Sequence, residues 1–260
     1  MSRYDPHSPL SELNRSAVGE AIKPPAALWR LLALCGEHWH RTGGYFDVAQ
    51  GALVELWRQS PSEPSIEAAR AARLASGFSG VRLDPATQTV GFSRPGLQLD
   101  LGAVGKGVAL DSVVAELKRR GVRCAFLSFG ESSIAAVGSH PSGRPWPVGI
   151  ASLFDPALSL HAFSLTDASL STSGNRPDQP SSHGPTVRPM EGAPVEGCRT
   201  MSVVAATATE SEILSTALLA CPLERRCALL AGYPGVSAVE ICYDRTQSGW
   251  IGRIAWRHDP

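Results

Sequence analysis

Net charge is the first thing this sequence lacks: 24 Lys and Arg stand against 24 Asp and Glu in 260 residues. A neutral chain has no broad positive field to draw nucleic acid or an anionic membrane, although a local basic pocket for one phosphate stays open. No run approaches the roughly 20 apolar residues of a membrane span. The opening MSRYDPHSP has neither an apolar signal core nor a lipid-attachment cysteine, so the sequence as it stands implies a cytoplasmic protein. None of the six cysteines sits in a C-x-x-C pair, and neighbours such as WRLLALC and STALLAC are apolar. That excludes a disulfide framework or a structural zinc site and predicts buried free thiols. His38 and His40 are two apart and diverge on a helix, which excludes a zinc hydrolase pair. A G-x-G-x-x-G fingerprint and internal repeats are also missing.

With 43% hydrophobic and 18% charged residues, the chain is too apolar for disorder and long enough to bury a substantial core. Residues up to Ile22 read as polar and irregular. Leu28, Leu31, Leu32 and Cys35 recur at helical spacing behind two prolines, and Gly51–Trp57 and the stretch IEAARAARLAS read as further helices. Strands are expected at GVRLD, TVGFS, LQLDLG, CAFLSF, SIAAVG, WPVGIA, FSLTDAS and TMSVVAATA. Between them, Leu110, Val113, Val114 and Leu117 mark an amphipathic helix ending in Lys118, Arg119 and Arg120 before Gly121, where cations suit the dipole. Residues 175–197 read as a long loop, followed by helices at SEILSTALLACP and LERRCALLAG. Helix and strand alternate irregularly and no composition shift marks a boundary. The prediction is α+β, with mixed or antiparallel sheets flanked by helices, as one domain over residues 1–260.

The segment LQLDLGAVGKGVALD, residues 97–111, carries the clearest chemistry. It delivers Asp100, a glycine-rich turn, and Lys106 at the opening of a helix. Glycines let backbone approach a ligand, and free N–H groups at a helix start favour an anion. A phosphate-bearing ligand and a plain strand–helix turn with a solvated lysine fit these residues equally. The segment also resembles the DLGGIAKGYAVD signature of the ApbE-type FAD:protein FMN transferases. Asp100, Leu101, Gly102, Lys106, Gly107, Ala109 and Asp111 fall in register. SRYDPHSPLSELN resembles that family's opening motif, and TGGYFDVAQGALVELW its TGGAFDPTVGPLVxLW. LSFGESSIAAVG, WPVGI, SLSTSGN and SEILSTAL are similar to its later motifs, in the family's order.

The resemblance implies an α+β flavin transferase fold, without the signal and the first strand and helix that usually precede the opening motif. It implies FAD contacts at Tyr4, Tyr45, Phe46, Asp47, Asp100, Lys106, Thr172 and Ser173. It also implies a magnesium ion held by the carbonyl of Ala103, by Glu212 and Thr216, and near Ser215. Residues 212 and 216 are four apart, so a carboxylate and a hydroxyl share one helix face. The implied reaction passes FMN from FAD to a threonine of a partner flavoprotein, and family members work mostly in the periplasm or anchored to a membrane.

Several positions depart from the family pattern. In SSHGPTVRPMEGAPVEG, Pro189, Gly192, Pro194 and Val195 align with the family's DPRTGxPV, but Arg188 takes the aspartate position and Pro185 the histidine position. His183, two residues earlier, is the candidate base. Glu212 replaces an aspartate, Ser128 an asparagine and Glu131 a glycine. An active transferase, an impaired relative that binds FAD without transferring it, and a structural remnant that binds no flavin all remain open.

Overall fold

The computed structural model describes residues 3–16, 19–60, 63–176, 185–247 and 249–260. The chain divides into two compact units, residues 1–103 with 179–195 and residues 104–178 with 196–260. It crosses from the first to the second between Ala103 and Val104, inside the glycine-rich motif.

The first unit opens with helix α1 (Pro9–Ser16), where irregular chain is expected from sequence. The Ser11 N–H donates to Ser8 Oγ at 3.1 Å, which caps the first turn, and Pro9 suits the first helical position. Leu10 and Leu13, one helical turn apart, are buried among polar neighbours that disguise the pattern. Helix α2 (Ala26–Arg41) buries Leu28, Leu31, Leu32 and Cys35, as their spacing predicts. Helices α3 (Gly51–Gln59) and α4 (Ile66–Leu74) follow. Strands β1 (Val81–Asp84) and β2 (Thr89–Phe92) form an antiparallel hairpin.

The strand expected at LQLDLG does not join a ladder. Its alternation is real, since Leu97, Leu99 and Leu101 are buried. Its backbone partners are scattered instead. The Asp100 N–H donates to Val48 O, Gln98 O accepts from Gly51 N, and Asn14 bonds both backbone groups of Leu99. Alternating burial requires an extended chain, and a loop, a helix start and one side chain meet the hydrogen-bonding demand here.

In the second unit, helix α5 (Gly105–Arg119) buries Gly107 and Leu110, with Val114 and Leu117 half-buried on the same face. Val113 is 46% exposed, so the buried stripe is narrower than predicted. Strands β3 (Ala125–Phe129), β4 (Ser133–Val137), β5 (Trp146–Ala151), β6 (Ser159–Leu165) and β7 (Ser169–Asn175) come next. The expected strand FSLTDAS is split: β6 ends at Leu165, and Asp167 turns the chain at a φ of 46°. Part of the expected long loop forms a small hairpin in the first unit, β8 (Val187–Arg188) with β9 (Ala193–Pro194). The Trp57 indole donates to Gly192 O at 3.0 Å and ties this hairpin to α3.

The chain then returns to the second unit as β10 (Cys198–Ala205), α6 (Ala208–Ala220), α7 (Leu223–Leu230), β11 (Ser237–Thr246) and β12 (Gly249–His258). A six-stranded sheet runs β12-β11-β10-β7-β4-β3 with every pairing antiparallel, and β5 and β6 form a separate hairpin. The class is α+β, as predicted. Helix α6 is apolar nearly all round and fills the core of this unit: Ile213, Leu214, Ala217 and Leu218 are fully buried. All six cysteines are free, but Cys124 and Cys227 are exposed, so burial holds only for part of the set. No helix among the described residues is long and apolar enough to cross a membrane.

Candidate functional site

The residues that the sequence singles out fall into two groups, one in each unit. In the first unit Tyr4 is half exposed, with the Arg3 guanidinium 4.9 Å from its ring centroid. The Arg3 side chain is largely buried and ion-paired to both Glu55 and Asp100 at 3.1 Å. Asp100 also accepts from the Gly102 N–H at 2.9 Å, so its carboxylate shapes the glycine turn that follows it. Arg3, Tyr4, Asn14, Glu55, Arg58 and Gln98 line a depression of about 350 Å³.

Tyr45 and Asp47 are half-buried, and the ring of Phe46 is buried. The Phe46 N–H donates to Thr42 Oγ1, while the Asp47 carboxylate accepts from Ala49 N at 2.7 Å and Phe78 N at 2.9 Å. Burial pushes the Asp47 pKa up, and those amide bonds oppose the shift only in part. In this arrangement Asp47 organises backbone, and Phe46 contributes to the core. Ala103 ends the first of the two stretches that make up this unit.

In the second unit the first turn of α5 presses against the start of α6. A Cβ on Gly107 would lie 2.5 Å from Ala208 O and 2.7 Å from Thr209 Cα, so only glycine permits this approach. Asp111 fixes the same contact. Its Oδ1 accepts from Ala208 N at 2.8 Å and its Oδ2 from Thr209 N at 2.9 Å, capping α6 from a neighbouring helix. Sequence reading placed Asp111 in the motif but assigned it no role; its spacing on α5 gave no hint of a partner almost a hundred residues later.

The close approach sets Glu212 against α5. Its Oε1 lies 2.8 Å from Lys106 Nζ, and its Oε2 accepts from the Gly107 N–H. Glu212 is 1% exposed, whereas the Lys106 side chain is 37% exposed. One turn further along α6, Ser215 and Thr216 meet a hydroxyl of β7. Ser173 Oγ is 2.8 Å from Ser215 Oγ and 3.1 Å from Thr216 Oγ1. Thr172, adjacent in β7, pairs with Ser202 Oγ at 2.7 Å. The structure therefore gathers Lys106 with Glu212, and Ser173 with Ser215 and Thr216. His183 lies outside the described residues.

A magnesium ion does not fit the donor set as it stands. Glu212 Oε2 bonds the Gly107 N–H, Oε1 has no hydrogen bond but faces an ammonium whose charge repels a second cation, and the hydroxyls of Ser215 and Thr216 bond to Ser173. Among the described residues no group of three or more His, Cys, Asp or Glu could hold a metal ion.

Against this geometry, residues 1–239 match the ApbE family, and the chain belongs to it. It is 34% identical over 221 residues to the FAD:protein FMN transferase of Rhodobacter capsulatus, covering 80% of this chain and 41% of that one. It is 30% identical over 276 aligned positions to the FAD:protein FMN transferase of Treponema pallidum (strain Nichols), covering 95% of this chain and 75% of that one. The chain thus spans less than half the length of the first relative and three quarters of the second. Among solved structures, the apo form of the Pseudomonas stutzeri flavinyl transferase ApbE superposes with a TM-score of 0.80 at 26% identity, covering 98% of this chain and 80% of that one. The flavin transferase ApbE of Vibrio cholerae shares the fold, with a TM-score of 0.81 at 24% identity over 98% of this chain and 82% of that one.

Proposed function

We propose that this protein transfers the FMN portion of FAD to a threonine hydroxyl of a partner flavoprotein. The observation that carries the reading is the alignment with an FAD:protein FMN transferase along 95% of the chain. Lys106 supports it, as a half-exposed ammonium in the first turn of α5 that can meet a phosphate oxygen. Tyr4, Tyr45, Phe46, Asp47 and Asp100 are assigned to the flavin nucleotide, as are Lys106, Thr172 and Ser173.

In the reaction, the acceptor hydroxyl oxygen attacks the FMN phosphorus and the bond to the AMP oxygen breaks. AMP leaves with the electron pair, and a base takes the hydroxyl proton; His183 is the assigned base. Catalysis of this kind rests on positioning and charge, which a fixed ammonium beside the phosphates supplies. Magnesium, which the resemblance implies at Ala103, Glu212, Ser215 and Thr216, enters no step of this reading because Glu212 is already paired.

A second reading, FAD binding without transfer, draws on Arg188. It takes the family's aspartate position and is ion-paired to Glu191 at 2.7 Å. Quenching of FAD fluorescence by the purified protein, followed by AMP release in the presence of a threonine-bearing acceptor protein, separates the two. Quenching with AMP release is the expected result. Quenching alone supports the second reading, and no quenching defeats both.

A further inference from the structure

The Glu212 carboxylate is almost completely removed from water, and a buried carboxylate needs a positive partner and hydrogen bonds on both oxygens. Lys106 Nζ supplies the positive partner, 2.8 Å from an Oε1 that has no hydrogen bond of its own, and the Gly107 N–H bonds Oε2. The geometry depends on two features of this sequence. Gly107 has no Cβ, so α5 approaches α6 closely enough for its amide to reach the carboxylate. The side chain at position 212 is also a glutamate; an aspartate would stop one carbon–carbon bond short, about 1.5 Å. An ammonium carries three N–H donors. The ammonium lies beside Glu212, and the half-exposed position of Lys106 leaves donors for an anion in solvent.

We propose that Lys106, and not a divalent metal ion, is the cation that serves Glu212, so that nucleotide binding by this protein does not depend on magnesium. Glu212 is then a positioning residue that holds Lys106 in place for phosphate oxygens. The nucleotide part rests on the flavin reading above; the pairing part does not.

Mn2+ is the probe for the pairing, followed by electron paramagnetic resonance of the free ion in the presence of the purified full chain without FAD. The unsubstituted protein is expected to leave millimolar Mn2+ free. Lys106→Met, checked for folding by circular dichroism, exposes the carboxylate and is expected to bind Mn2+, and Lys106→Met with Glu212→Gln to lose that binding. Mn2+ binding by the unsubstituted chain that disappears in Glu212→Gln would overturn the proposal, whether or not Lys106→Met folds. A folded Lys106→Met variant that ignores Mn2+ would also count against it. In the nucleotide arm, FAD affinity is expected to be the same in EDTA and in magnesium. A tightening of more than about tenfold with magnesium would overturn it. Failure to bind FAD in either buffer defeats the flavin reading and leaves the Mn2+ result to decide the pairing.

Discussion

Glu240 and Glu212 are both buried in the second unit, 4% and 1% exposed, yet they are neutralised in opposite styles. Glu240 on β11 receives Arg226 of α7 through two bonds, at 2.8 and 3.1 Å, and Arg199 of β10 at 3.2 Å. Arg226 is itself 3% exposed, and its guanidinium lies 5.2 Å from the ring centroid of Trp256. The Arg226–Glu240 pair is closed: one planar fork meets both carboxylate oxygens with both side chains buried, and only the side chain of Arg199, 31% exposed, reaches outward. Glu212 has a lysine whose side chain remains partly in water. A closed pair ties elements together, whereas a pair with one open side keeps a fixed charge within reach of a ligand.

Arg226→Met should break the closed cluster and leave Glu240 without its principal partner, for a loss of about 3–5 kcal/mol in urea unfolding. The effect carries a pH signature. Burial works to raise the Glu240 pKa, but Arg226 and Arg199 outweigh it and hold the group below its ordinary 4.5. A depressed carboxylate stabilises the fold above its unfolded pKa, and that contribution is lost as pH falls through the folded value. The gap between Arg226→Met and the unsubstituted protein should therefore narrow as pH drops below 4.5.

Gly107→Ala tests the open pair, because the added Cβ meets backbone that must move apart. The expected loss is about 1–3 kcal/mol in the same unfolding measurement, with FAD quenching weakened as Lys106 and Glu212 separate. The smallest effect should come from Glu131→Gly. Glu131 sits in the turn between β3 and β4 at a φ of 62°, a left-handed conformation that penalises a side chain. Glycine should raise stability by about 1 kcal/mol in thermal unfolding. An unchanged midpoint would remove the strain argument for that turn.

Much of the fold was legible because its signals are local. Leu28, Leu31, Leu32 and Cys35 mark α2 by spacing alone, and most strands between Ala125 and Ala205 show as β-type runs between turns. Misreadings occurred where the same local pattern suits two environments. Leu97, Leu99 and Leu101 alternate like a strand but pair with no ladder, and Val113 completes a helical stripe yet faces water. In α1, two leucines among polar residues gave too little pattern to outweigh composition.

The site divides along the same line. By itself the sequence determined the residue types and their order: a glycine turn with Asp100 and Lys106, hydroxyls at 172 and 173, and a carboxylate at 212, in a pattern matching one family. Only the tertiary structure decided what each carboxylate holds. Asp47 is bonded to backbone amides, Asp100 to Arg3 and its own turn, and Asp111 to the start of α6. Glu212 meets Gly107 from 105 positions away and takes Lys106 as its cation. Spacing along a chain constrains neighbours within a turn or a strand. Which charge a buried carboxylate pairs with is set by which elements pack together, and here that depends on a missing Cβ at position 107 and one additional methylene at position 212.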